Sequence, residues 1–225
     1  SSDMAHDLRT PISNLLVSTQ VALHQPRSVE DYERLLASNV EELERLTRMI
    51  ENMLFLARAE NAQVALEIEP IDAADEIDRI REYFEGIAAE SNVTLASEAR
   101  GTLWADPTLL RRAVSNLVAN AIHHSPPGSE VSIAARSSET GGEVIVSNVG
   151  SGIAPQHQKR IFDRFYRADG ARGESSSSSG LGLAIVQSIM GLHRGTVSVE
   201  SVIGQGAVFR LRFPSEPRLR GGAGA

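Results

Sequence analysis

The apolar positions along the chain change period near residue 62. Before it, Leu8, Ile12, Leu15, Thr19 and Ala22 fall at alternating spacings of four and three, the seam of a helix that packs on other helices. Leu36, Val40, Leu43, Thr47, Ile50, Leu54 and Ala57 continue that alternation with no Pro or Gly, and Leu46 and Met53 widen the apolar face. The segment "HQPRSVED" separates the runs. Pro26 breaks the first helix, Ser28 caps the second, and Asp31 stands at its third helical position. A lone hairpin cannot bury so long a seam. The pattern over residues 1–62 therefore predicts a four-helix bundle built from two chains.

From Val64 the period shortens. "VALEIEPI" alternates like a strand, and Asp72 then caps a helix, "AADEIDRIREYFEGIAAES". "VTLASEA" and "GTLWA" read as short strands, and Asp106 with Pro107 starts a helix ending near "HHS". "EVSIAARSS" and "GEVIVSNV" flank a turn at Gly141-Gly142 and form a hairpin. "PQHQKRIFDRF" and "GLGLAIVQSIMGLHR" read as helices, and "TVSVES" and "AVFRLRF" as strands. Helices and strands mix without regular β–α–β alternation. The prediction is a sheet with helices on one face, an α/β sandwich over residues 63–216, followed by a flexible tail at 217–225.

Composition narrows the class. The 225 residues carry a net charge of -7 with a pI of about 5.4, which argues against a nucleic-acid or anionic-membrane binder. With no cysteine, disulfides, thiolate zinc sites and iron–sulfur clusters are excluded, and the six histidines lack ligand spacing. No apolar run approaches the ~18 residues of a membrane span, and no signal peptide is visible. The chain opens at a helix start and reads as a piece of something longer.

Candidate chemistry begins in the first helix. His6 repeats by sevens with Ser13 and Gln20, a polar stripe facing away from the seam. Thr10 lies on the same face at i+4, and Asp7 about 100° around the helix. Pro11 removes the hydrogen bond to the carbonyl of Asp7, so the bend falls on the turn carrying all three. In the helix 107–124, Asn116, Asn120 and His123/His124 share one face. An Asn oxygen is a hard neutral ligand suited to Mg²⁺, and a histidine a turn on can reach phosphate. In "SNVGSGIAP", Asn148 could accept from an adenine amino group, while Gly150 and Gly152 let backbone approach a flat ligand. A long Gly/Ser/Arg loop, rooted by Phe162, Phe165 and Tyr166, runs to Gly180-Leu181-Gly182, where a helix N-terminus offers free N–H groups to phosphate. Gly204 and Gly206 turn between strands. Each element alone also fits a surface loop or a polar helix stripe, and neither a Walker loop nor a dinucleotide fingerprint is present.

The order of the elements is more specific. H-D-x-R-T-P, N-x-x-x-N, G-x-G, F-x-x-F, G-L-G-L-A and G-x-G together resemble the sensor histidine kinase core over about residues 1 to 214. "NLVANAIHHSPPG", "RIFDRFYRAD" and "LGLAIVQSIMGLHRGTVSVES" are most similar to the heavy-metal (copper, silver, zinc-type) branch. The resemblance implies a dimerisation and histidine-phosphotransfer hairpin followed by a Bergerat/GHKL-type α/β sandwich that binds ATP and Mg²⁺. It implies His6 as phosphoacceptor, Asp7 as the residue that orients and deprotonates it, and Thr10 as positioning water for dephosphorylating a partner. Asn120 would bind Mg²⁺ with support from Asn116, His123 would face the phosphates, and His124 would pack on the nucleotide. Asn148, Gly150, Gly152, Ile153, Phe162, Tyr166, Gly180, Leu181, Gly182 and Leu183 would shape the adenine pocket and its lid. Asn148 stands where the family usually has Asp, as in the heavy-metal branch, which implies weaker nucleotide binding rather than loss of activity.

The implied partners are a second copy of the chain and a response-regulator receiver domain, with no nucleic acid. The implied setting is the cytoplasmic portion of a bacterial inner-membrane protein, whose transmembrane and sensor segments lie upstream of this chain. The implied function is autophosphorylation, phosphotransfer to an aspartate, phosphatase action on the same regulator, and a heavy-metal response. An ATPase of the chaperone or topoisomerase kind fits the second half alone, and an inactive dimeric scaffold fits Asn148 and the unusual loop. Replacing Pro11 with Ala is expected to shift the ratio of kinase to phosphatase rates, measured side by side; equal rates before and after would remove the role assigned to the bend.

Overall fold

The computed structural model of the chain describes residues 2–24, 27–61, 63–167 and 180–215, with side chains from Leu8 onward. Its first part is a hairpin of α1 (Ser2–His24) and α2 (Val29–Glu60). Ser28 caps α2 as the sequence predicts: its Oγ accepts from the Asp31 N–H at 3.1 Å and donates to the Asp31 carboxylate at 2.8 Å. Pro11 lies inside α1 and is buried. The helices are tied near the turn by Tyr32, whose hydroxyl donates to the Ala22 carbonyl, and by Asn39, whose amide donates to Thr19.

Packing within one chain covers only part of the apolar surface. Leu46, Met49 and Leu56 are buried, but Leu36, Val40, Leu43, Ile50 and Leu54, the seam of α2, stay 48–61% exposed. Burying the exposed half of each would gain roughly 1 kcal/mol, about half of what full burial gives. The seam is thus left open along its length, as its heptad spacing requires of a face that packs on another helix pair.

The second part contains β1 (Glu69–Asp72), α3 (Ala73–Glu90), β2 (Thr94–Arg100), β3 (Thr102–Ala105), α4 (Pro107–His123), β4 (Glu130–Ser138), β5 (Gly141–Asn148), α5 (Pro155–Gln158), α6 (Gly182–Leu192), β6 (Thr196–Val202) and β7 (Gly206–Pro214). Five strands form one sheet in the order β2-β4-β5-β7-β6, with β2 and β4 parallel and the other pairs antiparallel; β1 and β3 pair separately. Strand alternation puts Val131, Ile133, Val144, Val146, Phe209 and Leu211 on the buried face. Ile77 and Ile80 of α3, Leu110, Val114 and Leu117 of α4, and Ile185 and Ile189 of α6 complete that core. The opposite face is charged. This is the α/β sandwich expected from the sequence, with Asp72 and Asp106 capping α3 and α4 as expected.

Three local expectations need correction. "VALEIEPI" is strand only at Glu69–Asp72; Val64 and Leu66 pack on the core as a linker, and the Glu67 N–H is held by Asp106. The helix expected over "PQHQKRIFDRF" stops at Gln158, and successive three-residue turns then carry Phe162 into the core against Phe209. The β4–β5 turn is Glu139-Thr140, not Gly141-Gly142. Gly142 pairs within the strand, and glycine suits it there because a Cβ would come within 2.4 Å of Leu103 Cδ2. Pro26, residues 168–179 and the tail at 217–225 lie outside the described residues. No helix among the described residues is long and apolar enough to cross a membrane.

The two parts meet along the second half of α2, which lies against α4 and α6. The Arg112 guanidinium sits 4.2 Å from the centre of the Phe55 ring and donates to Asn52 Oδ1 at 2.8 Å, and Arg164 pairs with Glu60. Burial lowers the Arg112 pKa, partly offset by Glu51.

On the charged sheet face, Glu143 accepts from Arg136 at 2.6 and 3.0 Å and from Arg212 at 3.0 Å. Burial works against its ionisation, but the two arginines outweigh it and hold the carboxyl below the ordinary 4.5. A depressed carboxyl pKa contributes stability that is present above the unfolded value and lost as pH falls through the folded one. Urea-unfolding midpoints are therefore expected to fall more steeply below pH 4.5 in the wild type than in Glu143→Gln. Parallel slopes would show that the cluster contributes nothing.

Candidate active site

The site is built on α4. Asp106 Oδ1 accepts from the Leu109 N–H at 3.0 Å and Pro107 occupies the first turn, so the start of the helix is fixed. Leu110, Val114, Leu117 and Ala121 face the core. Around the helix from them, Arg112, Asn116 and Asn120 follow at intervals of four and are half-buried, so they line one edge of α4.

Close backbone approaches bring the glycine loops to this helix. The Asn116 amide nitrogen donates to the Arg112 carbonyl at 2.7 Å, and a Cβ on Gly182 would lie 3.0 Å from Asn116 Oδ1, so glycine lets the start of α6 reach the Asn face. At the other end of α4, a Cβ on Gly150 would lie 2.3 Å from the His124 carbonyl and 3.1 Å from the Asn148 amide nitrogen. Gly152 has φ +71° and would meet the Val202 carbonyl at 2.1 Å. Asn116, Gly182, His124, Asn148 and Gly150 are thus gathered around one helix, with Asn120 between Asn116 and His124 in its last turn. The Asn148 amide donates to the Val149 carbonyl at 3.0 Å, which turns its oxygen the other way.

His123 and His124 stack edge to face, 4.8 Å apart. Desolvation, and next the neighbouring His123, hold His124 below the ordinary histidine value, so it is neutral near pH 7. Ile153, on the glycine loop, and Leu183, in the first turn of α6, are half-buried. Gly180, at φ +66°, accepts from the Phe165 N–H at 3.0 Å, and Phe165 itself takes φ +61°. Other predicted residues face elsewhere. Phe162 and Leu181 are buried in the core, and the Tyr166 hydroxyl is engaged with His157 Nδ1 at 2.5 Å while Arg160 covers its ring. Thr10 is exposed on α1, and the side chains of His6 and Asp7 lie outside the described residues.

Sequence reasoning missed the braces behind the glycine loop. Ser201 Oγ accepts from the Ile153 N–H at 2.8 Å and donates to the Gly206 carbonyl, and Gln158 Nε2 donates to the carbonyls of Ile153 and Ser201 at 2.9 Å. These pairs are separated by more than forty positions in places, and no local pattern announces them.

Comparison with known proteins decides the family. Residues 105–217 match the model of the histidine kinase-, DNA gyrase B- and HSP90-like ATPase, and residues 1–62 match the His Kinase A (phospho-acceptor) domain. The chain belongs to the sensor histidine kinases. It is 45% identical over 96% of its length to the sensor protein IrlS of Burkholderia pseudomallei, covering 46% of that protein. It is 42% identical to the sensor histidine kinase CusS of Escherichia coli K12, with 96% of this chain and 45% of that one covered. This sensor-kinase chain thus spans about half the length of the curated relatives it matches. Among solved structures, the fold matches Acinetobacter baumannii histidine kinase AdeS with TM-score 0.79 at 23% identity, over 94% of this chain and 98% of that one. It also matches full-length ShkA in complex with AMPPNP, with TM-score 0.73 at 26% identity, over 95% of this chain and 45% of that one. A further match is histidine kinase ThkA in complex with the response regulator protein TrrA, with TM-score 0.76 at 23% identity, over 96% and 61%.

A methyl group at Gly150 must displace the end of α4, so Gly150→Ala is expected to weaken nucleotide binding at least several-fold. Gly152→Ala is expected to lower unfolding free energy by about 1–3 kcal/mol, through its positive φ and the Val202 carbonyl. Titration calorimetry and urea melts on both variants, unchanged from wild type, would show that neither close approach matters.

Proposed function

We propose that the chain transfers the γ-phosphoryl group of ATP to His6 and passes it to an aspartate of a response-regulator receiver domain. The observation that carries this reading is the close approach of the glycine loops to α4. Its asparagine face is flanked by glycine-held loops, in the same chain as a His-bearing hairpin. The family match and the AMPPNP complex of ShkA support ATP as donor, and the ThkA–TrrA complex supports a receiver domain as acceptor.

The residues fit the ligands. Gly150 and Gly182 let their loops close on α4 where a Cβ would meet the His124 carbonyl or Asn116, Asn148 keeps an acceptor oxygen for an adenine amino group, and the N-terminus of α6 presents N–H groups to phosphate. Asn120, supported by Asn116, offers the neutral oxygen that suits Mg²⁺; among the described residues no cluster of His, Cys, Asp and Glu could hold a metal instead. Mg²⁺ held there would supply positive charge against the phosphates. The protein's own work is then positioning. The loops seat the base, α6 orients the phosphates, and neutral His124 packs without adding charge. Asp7 takes the proton that the His6 imidazole loses as its nitrogen attacks in line. Transfer needs the ATP-binding domain to leave its contact at Arg112, Asn52 and Phe55 and approach the first turns of α1.

The open seam of α2 supports a homodimer through residues 1–62, and Thr10 supports dephosphorylation of the regulator. Similarity to the heavy-metal branch, with 42–45% identity to CusS and CzcS, supports a heavy-metal response and a place on the cytoplasmic side of a bacterial inner membrane. A chaperone-type ATPase explains the sandwich but not the hairpin.

Incubation with γ-labelled ATP and Mg²⁺ tests the reading. Acid-labile, base-stable label is expected on the wild type, none on His6→Gln, and a loss of at least tenfold on Asn120→Ala. Label that survives in His6→Gln would place the acceptor elsewhere, and no label in any protein would favour an inactive scaffold.

A further inference from the structure

Among the described residues, the buried polar or charged side chains are Glu76, Asp106 and His193. Glu76 is met by Arg111 at 2.8 and 3.0 Å. The other two meet each other, at a place that the nucleotide cleft does not include. His193 follows the last turn of α6 and is 4% exposed, with its ring edge-on to Phe213 at 5.4 Å. Its Nδ1 lies 2.8 Å from the Ile189 carbonyl, and its Nε2 lies 3.0 Å from the backbone nitrogen of Asp106. A carbonyl only accepts and an amide N–H only donates. The ring must therefore carry its proton on Nδ1 and present a lone pair at Nε2.

Asp106 is a junction. One carboxylate oxygen accepts from Leu109 and so caps α4, and the other accepts from the Glu67 N–H of the linker at 3.1 Å. Its own N–H goes to His193. The far end of α6 is thereby fastened to the start of α4. The near end of α6 meets α4 at Gly182 and Asn116, about three turns away on both helices. The two helices therefore run antiparallel and are fixed at both ends. Asn116 and Asn120 belong to α4, and Gly182, with Gly180 and Leu181 just before it, opens α6. A slip of α6 along α4 would move the N-terminus of α6 relative to Asn116 and Asn120.

We propose that His193 is a positioning residue for the nucleotide site: by accepting the Asp106 N–H it sets the register of α6 on α4, and with it the distance between the phosphate-facing N-terminus and the asparagine face. This rests on the nucleotide reading above. A core-filling histidine would stabilise the domain without adjusting that gap, and the two roles separate experimentally.

His193→Asn keeps a donor for the Ile189 carbonyl but is too short to reach Asp106. His193→Gln places an acceptor oxygen where Nε2 stood. Titration of the full chain with Mg·AMPPNP, well below the melting midpoint of each protein, is expected to show roughly tenfold weaker binding for Asn and near wild-type binding for Gln. In autophosphorylation, KM for ATP is expected to rise in Asn with kcat changed less. Equal affinity in all three proteins, or losses that follow melting midpoint rather than the acceptor, would overturn the proposal. Nitrogen NMR of the wild-type ring gives a check that needs no variant: Nδ1 protonated and Nε2 bare at neutral pH is expected, and the opposite tautomer or a doubly protonated ring would overturn it. Failure of the wild type to bind Mg·AMPPNP would instead sink the nucleotide reading on which this one stands.

Discussion

The packing of α4 against α6 is the constraint on which the rest depends. Each helix buries an apolar face on the same side of one sheet, and each carries residues of the proposed nucleotide site. Their buried residues are fully enclosed: Leu110, Val114 and Leu117 on one, Ile185, Ile189 and Met190 on the other. A core so dense has little freedom to shift. The placing of Asn116 and Asn120 against the start of α6 is therefore inherited from the core. The loops are then drawn onto the helix pair at glycines, where a side chain would collide with backbone or with Asn116.

The hairpin follows the opposite logic. Its central seam is left uncovered, while the second half of α2 turns Met49, Phe55 and Leu56 toward the sandwich. One helix thus offers two faces, one an open apolar seam, the other packed on the sandwich and held also by Arg112 with Asn52 and by Arg164 with Glu60. Contacts between domains of one chain are more readily separated than obligate ones. That suits the proposed transfer, in which the ATP-binding domain would leave α2 and approach His6.

Local chemistry was legible in the sequence. Ser28, Asp72 and Asp106 announced their helices, the heptad announced the hairpin, and alternation announced six of the seven strands nearly to their ends. Long-range fit was not. Gly141 and Gly142 looked like a turn, because glycine is as useful for close approach to Leu103 as for reversing the chain. "PQHQKRIFDRF" carried a helical pattern, but the need to place Phe162 against Phe209 took precedence over it. At the site, the asparagines and glycines were visible as motifs, whereas Ser201, Gln158 and His193 each make a bond to a partner distant in the chain that no local pattern announces. Phe162 and Leu181 carry the motif's spacing, yet their side chains hold the core beneath the site.

The most direct test is to locate the nucleotide. Amide resonances of the full chain would be followed while Mg²⁺ and AMPPNP are added together, and AMPPNP then alone. Saturable shifts are expected at Gly150, Gly152, Gly182 and the side-chain amides of Asn116, Asn120 and Asn148, larger with Mg²⁺ present. A site elsewhere, such as shifts gathered on the charged sheet face around Arg136 and Arg212, or no saturable shift at all, would contradict a nucleotide held between α4 and α6.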